Sequence, residues 1–152
     1  MKDSQFTEKD AMTAAYRDRP MLHPLQAYAL SAVAPFFAAA TLSDWQYFTS
    51  AQIQWLNFAA WLLVAALLFT AVSGLWALEQ GIVQAKSRST RFWLFFVTLL
   101  ATAITGTVNS FVHARDAWGT MPTGLTLSLV TLILAIAATW LGLTSSNKGD
   151  RA

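Results

Sequence analysis

The sequence predicts an all-α integral membrane protein, a four-helix bundle with both termini in the cytoplasm. Three observations predict it. Of 152 residues, 55% are hydrophobic and only 12% charged, against about 25% charged in an average soluble domain. The missing charge leaves three long segments, and a fourth shorter one, without a single Asp, Glu, Lys or Arg. Nine of the ten Lys and Arg residues then fall on one side of that four-segment pattern.

Residues 1–21 mix acids and bases (Lys2, Asp3, Glu8, Lys9, Asp10, Arg17, Asp18, Arg19) and hold no apolar stretch before Leu22. They read as a cytoplasmic tail without a cleavable signal, so the first span serves as an uncleaved anchor. The membrane domain is expected over 22–144. A span needs about 20 apolar residues to cross about 30 Å of hydrocarbon. The first segment, about 25–42, is the weakest. It carries Gln26 and Ser31, and Pro35 should kink it by removing one backbone hydrogen bond. A re-entrant helix is the alternative there. An outer loop from Ser43 to about Asn57 follows. The second and third spans, about 58–78 and 92–112, and the fourth, 123–144, are long enough to cross. Residues 145–152 form a short tail.

Direction follows from the basic residues, which favour the cytoplasmic side of short loops. The N-terminal tail holds Lys2, Lys9, Arg17 and Arg19, the loop between spans two and three holds Lys86, Arg88 and Arg91, and the C-terminal tail holds Lys148 and Arg151. The other side has only Arg115. Tryptophan prefers the headgroup level. Trp45, Trp55 and Trp118 would form an outer belt, and Trp76, Trp93 and Trp140 an inner one, with Trp61 deeper. Small residues recur inside the spans, and span three has a stripe of Thr98, Thr102, Thr105, Gly106 and Thr107. Such residues let helices approach closely; a polar lining for a solute path is the sharper reading.

Much chemistry is excluded. Without cysteine there are no disulfides, thiolate metal sites, iron–sulfur ligation or thiol catalysis. A formal charge of +2, with no basic stretch interleaved with aromatics, gives no argument for nucleic acid. No nucleophile–base–acid set or phosphate-cradling glycine loop is present, and no acids lie deep in spans two to four, which weakens a proton relay. The two histidines lie near opposite faces. His113 comes 22 residues after Arg91, about 33 Å of helical rise, whereas His23 opens span one. One intrachain metal cannot bridge them, so no cofactor is predicted. A haem or pigment held by His23 or His113 alone, or with a partner, is the alternative.

Two polar groupings are the candidate sites. At the outer rim are Asp44, Asn57, Asn109, His113, Arg115 and Asp116, which either seal helix ends by hydrogen bonding or form a small binding site. Asp44, with Trp45 and Tyr47, could anchor it or cap a turn. At the inner end are His23, Gln26, Glu79 and Arg91, where a Glu79 contact to Arg91 or His23 would tie helix ends together.

His23-Pro24-Leu25 resembles the His-Pro-Leu-His opening of a bacterial family of four-helix membrane proteins, the domain of unknown function 2231 family. Asp44-Trp45-Gln46-Tyr47 is similar to its Asp-aromatic stretch after the first span, and Ala60-Trp61-Leu62-Leu63 with Gly74-Leu75 to its second span. Gly124-Leu125-Thr126-Leu127-Ser128-Leu129 and Trp140-Leu141-Gly142 resemble its fourth. The resemblance covers about 22–144. It departs at Gln26, where the family has a second histidine, and at Phe92, Trp93, Leu94, Phe95 and Phe96, which offer no counterpart to a histidine early in span three. If those histidines hold a metal or haem in relatives, most of that site is lost here. The resemblance implies no reaction, but relatives beside redox modules imply an electron-transfer neighbourhood.

The expected function is non-enzymatic: an accessory or scaffold subunit of a larger complex, with redox complexes included, in the bacterial inner membrane. Its partners would be the lipid bilayer and other membrane subunits or a second copy. The alternatives are a cofactor-binding electron-transfer subunit using His23 or His113, and a small-solute or ion carrier.

Overall fold

The computed structural model describes residues 22–83, 89–115 and 117–144, and of Ala117 and Trp118 the backbone alone. The two tails with their basic residues, Lys86, Arg88, Asp116 and the Trp118 side chain lie outside the described residues. Four helices, each long and apolar enough to cross a membrane, make up the fold: α1 Pro24–Ser50, α2 Ile53–Val83, α3 Thr90–His113 and α4 Thr123–Leu143. A single helical turn, Ala117–Thr120, lies between α3 and α4.

The segment expected to be weakest forms an uninterrupted helix of 27 residues with Pro35 inside it. His23 caps its start, accepting from the Leu25 backbone N–H at 3.3 Å, and Pro24 sits at its first position, where its missing N–H costs nothing. The outer loop expected from Ser43 to about Asn57 is nearly all helix. Only Ala51 and Gln52 separate α1 from α2. Ala51 takes the left-handed conformation (φ 54°) and its N–H closes the last turn on the Tyr47 carbonyl, a tight helix stop. Asp44 is consequently a helix residue facing the bundle and caps no turn. At the start of α3, the Ser89 hydroxyl accepts from the Phe92 N–H.

The helices form a ring in which α1 packs on α2 and α4, and α3 packs on the same two. The start of α1 meets the end of α4 at Leu30 and Thr139, so both tails leave from the same end of the bundle. Every helix carries a run of buried positions stepping by three and four. In α2 it is Leu56, Ala59, Leu63, Ala66, Thr70, Ser73, Ala77 and Gly81, and in α4 Gly124, Ser128, Thr131, Ala135, Ala138 and Gly142. That 3.5-residue repeat is the seam of left-handed helix packing at shallow angles.

Small side chains fill most of this seam, while the large apolar ones point outward. Trp61, Leu68, Leu75, Ile133 and Trp140 are all more than 60% exposed. The arrangement suits a lipid solvent, where burying large apolar groups brings little gain and close backbone approach brings much. Gly142 shows how close: a Cβ there would collide with Leu30 Cδ2. Large residues occupy the seam at Phe37, Leu63, Phe92, Phe95 and Leu99, which join one continuous apolar core.

Candidate functional site

The most polar buried cluster lies at the end of the bundle opposite the tails. It is built from three helices. Asp44 comes from the last two turns of α1, Asn109 and His113 from the last turns of α3, and Ser128 from the second turn of α4. Each falls on the heptad seam of its helix, which turns all four inward. Asp44 is wholly buried and His113 is 7% exposed.

The hydrogens in this network are fixed by the partners. His113 Nδ1 lies 2.9 Å from the Asn109 carbonyl oxygen, which can only accept, so Nδ1 carries a hydrogen and donates. Asn109 Nδ2 donates to Ser128 Oγ at 2.7 Å, and Ser128 Oγ donates to Asp44 Oδ2 at 2.5 Å. His113 Nε2 then faces Asp44 Oδ1 at 2.7 Å. One hydrogen occupies that last contact. Whether it sits on nitrogen or oxygen, the pair is neutral as a unit, and this allows it to be buried without a counter-charge. Asn109 Oδ1 and Ser110 Oγ are the buried atoms nearby with no hydrogen-bond partner.

Gly124 makes room for the ring. A Cβ at this position would stand 2.9 Å from Thr120 Cγ2 and 3.1 Å from His113 Cε1. Thr120 itself bonds back to the Val112 carbonyl at 3.4 Å. The turn Ala117–Thr120, the start of α4 and the end of α3 thus enclose the imidazole.

The chemistry available to this cluster is narrow. Ser128 bonds to the carboxylate and not to the imidazole, so the His113 ring is not aimed at its hydroxyl as in a nucleophilic triad. Both His113 nitrogens are committed. A metal or haem iron could be held only by giving up one of these bonds. What the network does is tie α1, α3 and α4 together with directional bonds.

Of the outer-rim residues expected from the sequence, Asp44, Asn109 and His113 meet. Asn57 and Arg115 are exposed and stand apart from them; Asn57 sits one position off the α2 seam, between Leu56 and Ala59. Asp116 lies outside the described residues. Ser128 and Gly124 were not expected as site residues, although both fall on the three-and-four spacing of α4.

The other end holds a looser set. Gln26, wholly buried, donates to the Ser73 carbonyl at 3.3 Å and accepts from Gln80 Nε2 at 2.9 Å. His23 stacks on Trp76 with ring centroids 5.4 Å apart and planes at 17°. Glu79 is exposed and lines a shallow crevice with His23, Trp76, Gln80 and Val83. Arg91 donates to Thr144 Oγ1 across α3 and α4. Among the described residues the one ion pair is His113–Asp44, so the helix ends here are joined by amide and hydroxyl bonds and not by Glu79. Gln80, Ser73 and Thr144 were not among the expected members.

Most threonine hydroxyls along the spans turn back on their own helices. Thr41, Thr70, Thr102, Thr105 and Thr131 each donate to the carbonyl four residues earlier. Between the two polar clusters the seam is closed by Val33, Phe37, Leu63 and Leu99, all 2% exposed or less.

A family model described as a predicted membrane protein, DUF2231, matches residues 22–149. Neither a curated protein nor a solved structure matches the chain.

Proposed function

The chain belongs to the DUF2231 family of predicted membrane proteins, and we propose that it acts as a non-catalytic structural subunit of the bacterial inner membrane. In this reading both tails face the cytoplasm, as the Lys and Arg distribution favours, and the Asp44–His113 end faces the periplasm. The protein would serve as an accessory subunit for other membrane proteins or a second copy.

The observation that carries the proposal is the closed seam. The threonine stripe that could have lined a solute path spends its hydroxyls on backbone carbonyls of its own helix. The two polar clusters are separated by packed Phe37, Leu63 and Leu99. The buried Asp44, His113 and Ser128 side chains bond to one another. These features favour a bundle that holds its shape over one that conducts or reacts.

Purification in mild detergent tests the reading. Colourless protein with stoichiometric co-purifying membrane subunits, or a defined homo-oligomer, is expected. A visible absorption band lost in His23→Ala would establish the cofactor alternative, because His23 is the histidine with an exposed ring. Solute flux in proteoliposomes above that of empty vesicles would overturn the structural role.

A further inference from the structure

The bonds that link Asn109, Ser128 and Asp44 form a chain with a direction. Asn109 Nδ2 donates to Ser128 Oγ at 2.7 Å, and Ser128 Oγ donates to Asp44 Oδ2 at 2.5 Å. Asn109 is wholly buried, yet among the described residues its Oδ1 has no hydrogen-bond partner. An unpaired acceptor at such a position is costly, and it leaves the amide free to turn. Half a turn exchanges Nδ2 and Oδ1, which are nearly alike in shape. Had a donor held Oδ1, that exchange would sacrifice a bond. Here it sacrifices none, because one unpaired atom replaces another.

The reversed chain needs one more hydrogen. With Oδ1 facing Ser128, the hydroxyl donates to Oδ1 and accepts on its other side. The group on that side is Asp44 Oδ2, which then carries a hydrogen and donates it. His113 completes the count. Its Nδ1 donates to the Asn109 carbonyl in both forms, and in the reversed form its Nε2 donates to Asp44 Oδ1. The same heavy-atom contacts thus serve the cluster with and without an added proton. The cost of adding it is a buried positive charge on an imidazolium whose two N–H groups are both bonded.

Among the described residues, α2 and α4 bring no titratable group to this end of the bundle. α1 adds Tyr47, one turn beyond Asp44, and the exposed Arg115 follows α3. Neither offers a negative charge to hold the added one. His113 is the last residue of α3, so the water beyond that end is the source of the proton. Behind the cluster the seam is closed by Phe37, Leu63 and Leu99, and the proton leaves by the way it came.

We propose that this cluster is a proton-loading site. It takes one proton from the aqueous phase at its end of the bundle, holds it on Asp44 Oδ2, and turns the Asn109 amide in doing so. The site goes beyond the structural role and does not depend on it.

The full chain in lipid nanodiscs, taken from about pH 8 to about pH 4, tests this with two readouts. Infrared difference spectra should show a protonated-carboxyl band that grows with acid and is missing from Asp44→Asn. Nuclear magnetic resonance of isotope-labelled asparagine side chains should show the Asn109 amide, identified by its loss in Asn109→Leu, shifting with the same midpoint. Helical circular dichroism should stay constant throughout. A carboxyl band that grows only as helicity is lost, or no band from Asp44 at all, would overturn the proposal. An Asn109 amide that stays still while Asp44 takes its proton would overturn it too, because the chain would not have reversed.

Discussion

Replacing Asp44 separates two accounts of the buried network, one based on satisfied bonds and one on charge. Asp44→Ala removes both acceptors. It leaves His113 Nε2 and the Ser128 hydroxyl without the carboxylate they share, at a residue that is wholly buried. Two orphaned polar groups cost about 1–3 kcal/mol each, and breaking a buried pair costs about 3–5 kcal/mol. Interhelical polar contacts in membranes average nearer 0.6 kcal/mol, so the loss should fall at about 2–5 kcal/mol. Asp44→Asn has the same shape. Its amide nitrogen can donate to Nε2 of a neutral imidazole whose Nδ1 hydrogen still reaches Asn109, and its oxygen can accept from Ser128. Every group stays paired, and the expected loss is under about 1 kcal/mol. Thermal unfolding in detergent, followed by circular dichroism, should show Asp44→Ala lower by on the order of 10 °C and Asp44→Asn close to wild type. Ser43→Ala, which removes only a bond to its own helix at Ala39, is the matched control and should be near neutral. If Asp44→Asn falls as far as Asp44→Ala, the shared proton and its charges hold the helices, and the bond-counting argument is wrong.

Gly124→Ala forces a Cβ against Thr120 and the His113 ring and should cost about 1–3 kcal/mol by overpacking. Gly74→Ala, with open space around the new methyl, should cost nothing in the same unfolding assay. Gln26→Leu deprives Gln80 of its acceptor at the end of the bundle near the tails. It should lower stability by about 1–2 kcal/mol, and Gln80→Leu added to it should recover part of that loss, as a double-mutant cycle will show. Reporter fusions at the two termini should read out on the same side of the membrane, because α1 begins where α4 ends; opposite readouts would contradict the four-span ring.

The inner-end residues illustrate how far sequence reasoning reaches. Gln26 was legible as an anomaly, a large amide in an apolar span, and it proves to be the residue that joins α1 to α2. Its partner Gln80 was not among the expected members of the inner cluster. Arg91 was legible as a helix-end cation, but its partner is a threonine hydroxyl, a group too common to single out. At the outer rim, Asn57 and Asn109 read as equivalent by depth. The seam spacing separates them, turning Asn109 inward between Gly106 and His113 and leaving Asn57 exposed.

The sequence by itself determined that four helices form and that they are meant for lipid. Runs of uncharged residues long enough to cross hydrocarbon leave the backbone no other way to satisfy its hydrogen bonds. It also carried the 3.5-residue seam, though faintly, because the seam and the lipid face are both apolar and differ mainly in side-chain size. Only the tertiary structure decided that α1 continues through Asp44, that Asp44 meets His113 and Ser128 on two other helices, and that Gly124 leaves space for the ring while Gly74 has open space beside it. Those outcomes depend on how each helix is rotated about its axis and how deeply it sits against its neighbours. Packing of small side chains sets both, and no run of residues along one chain segment encodes them.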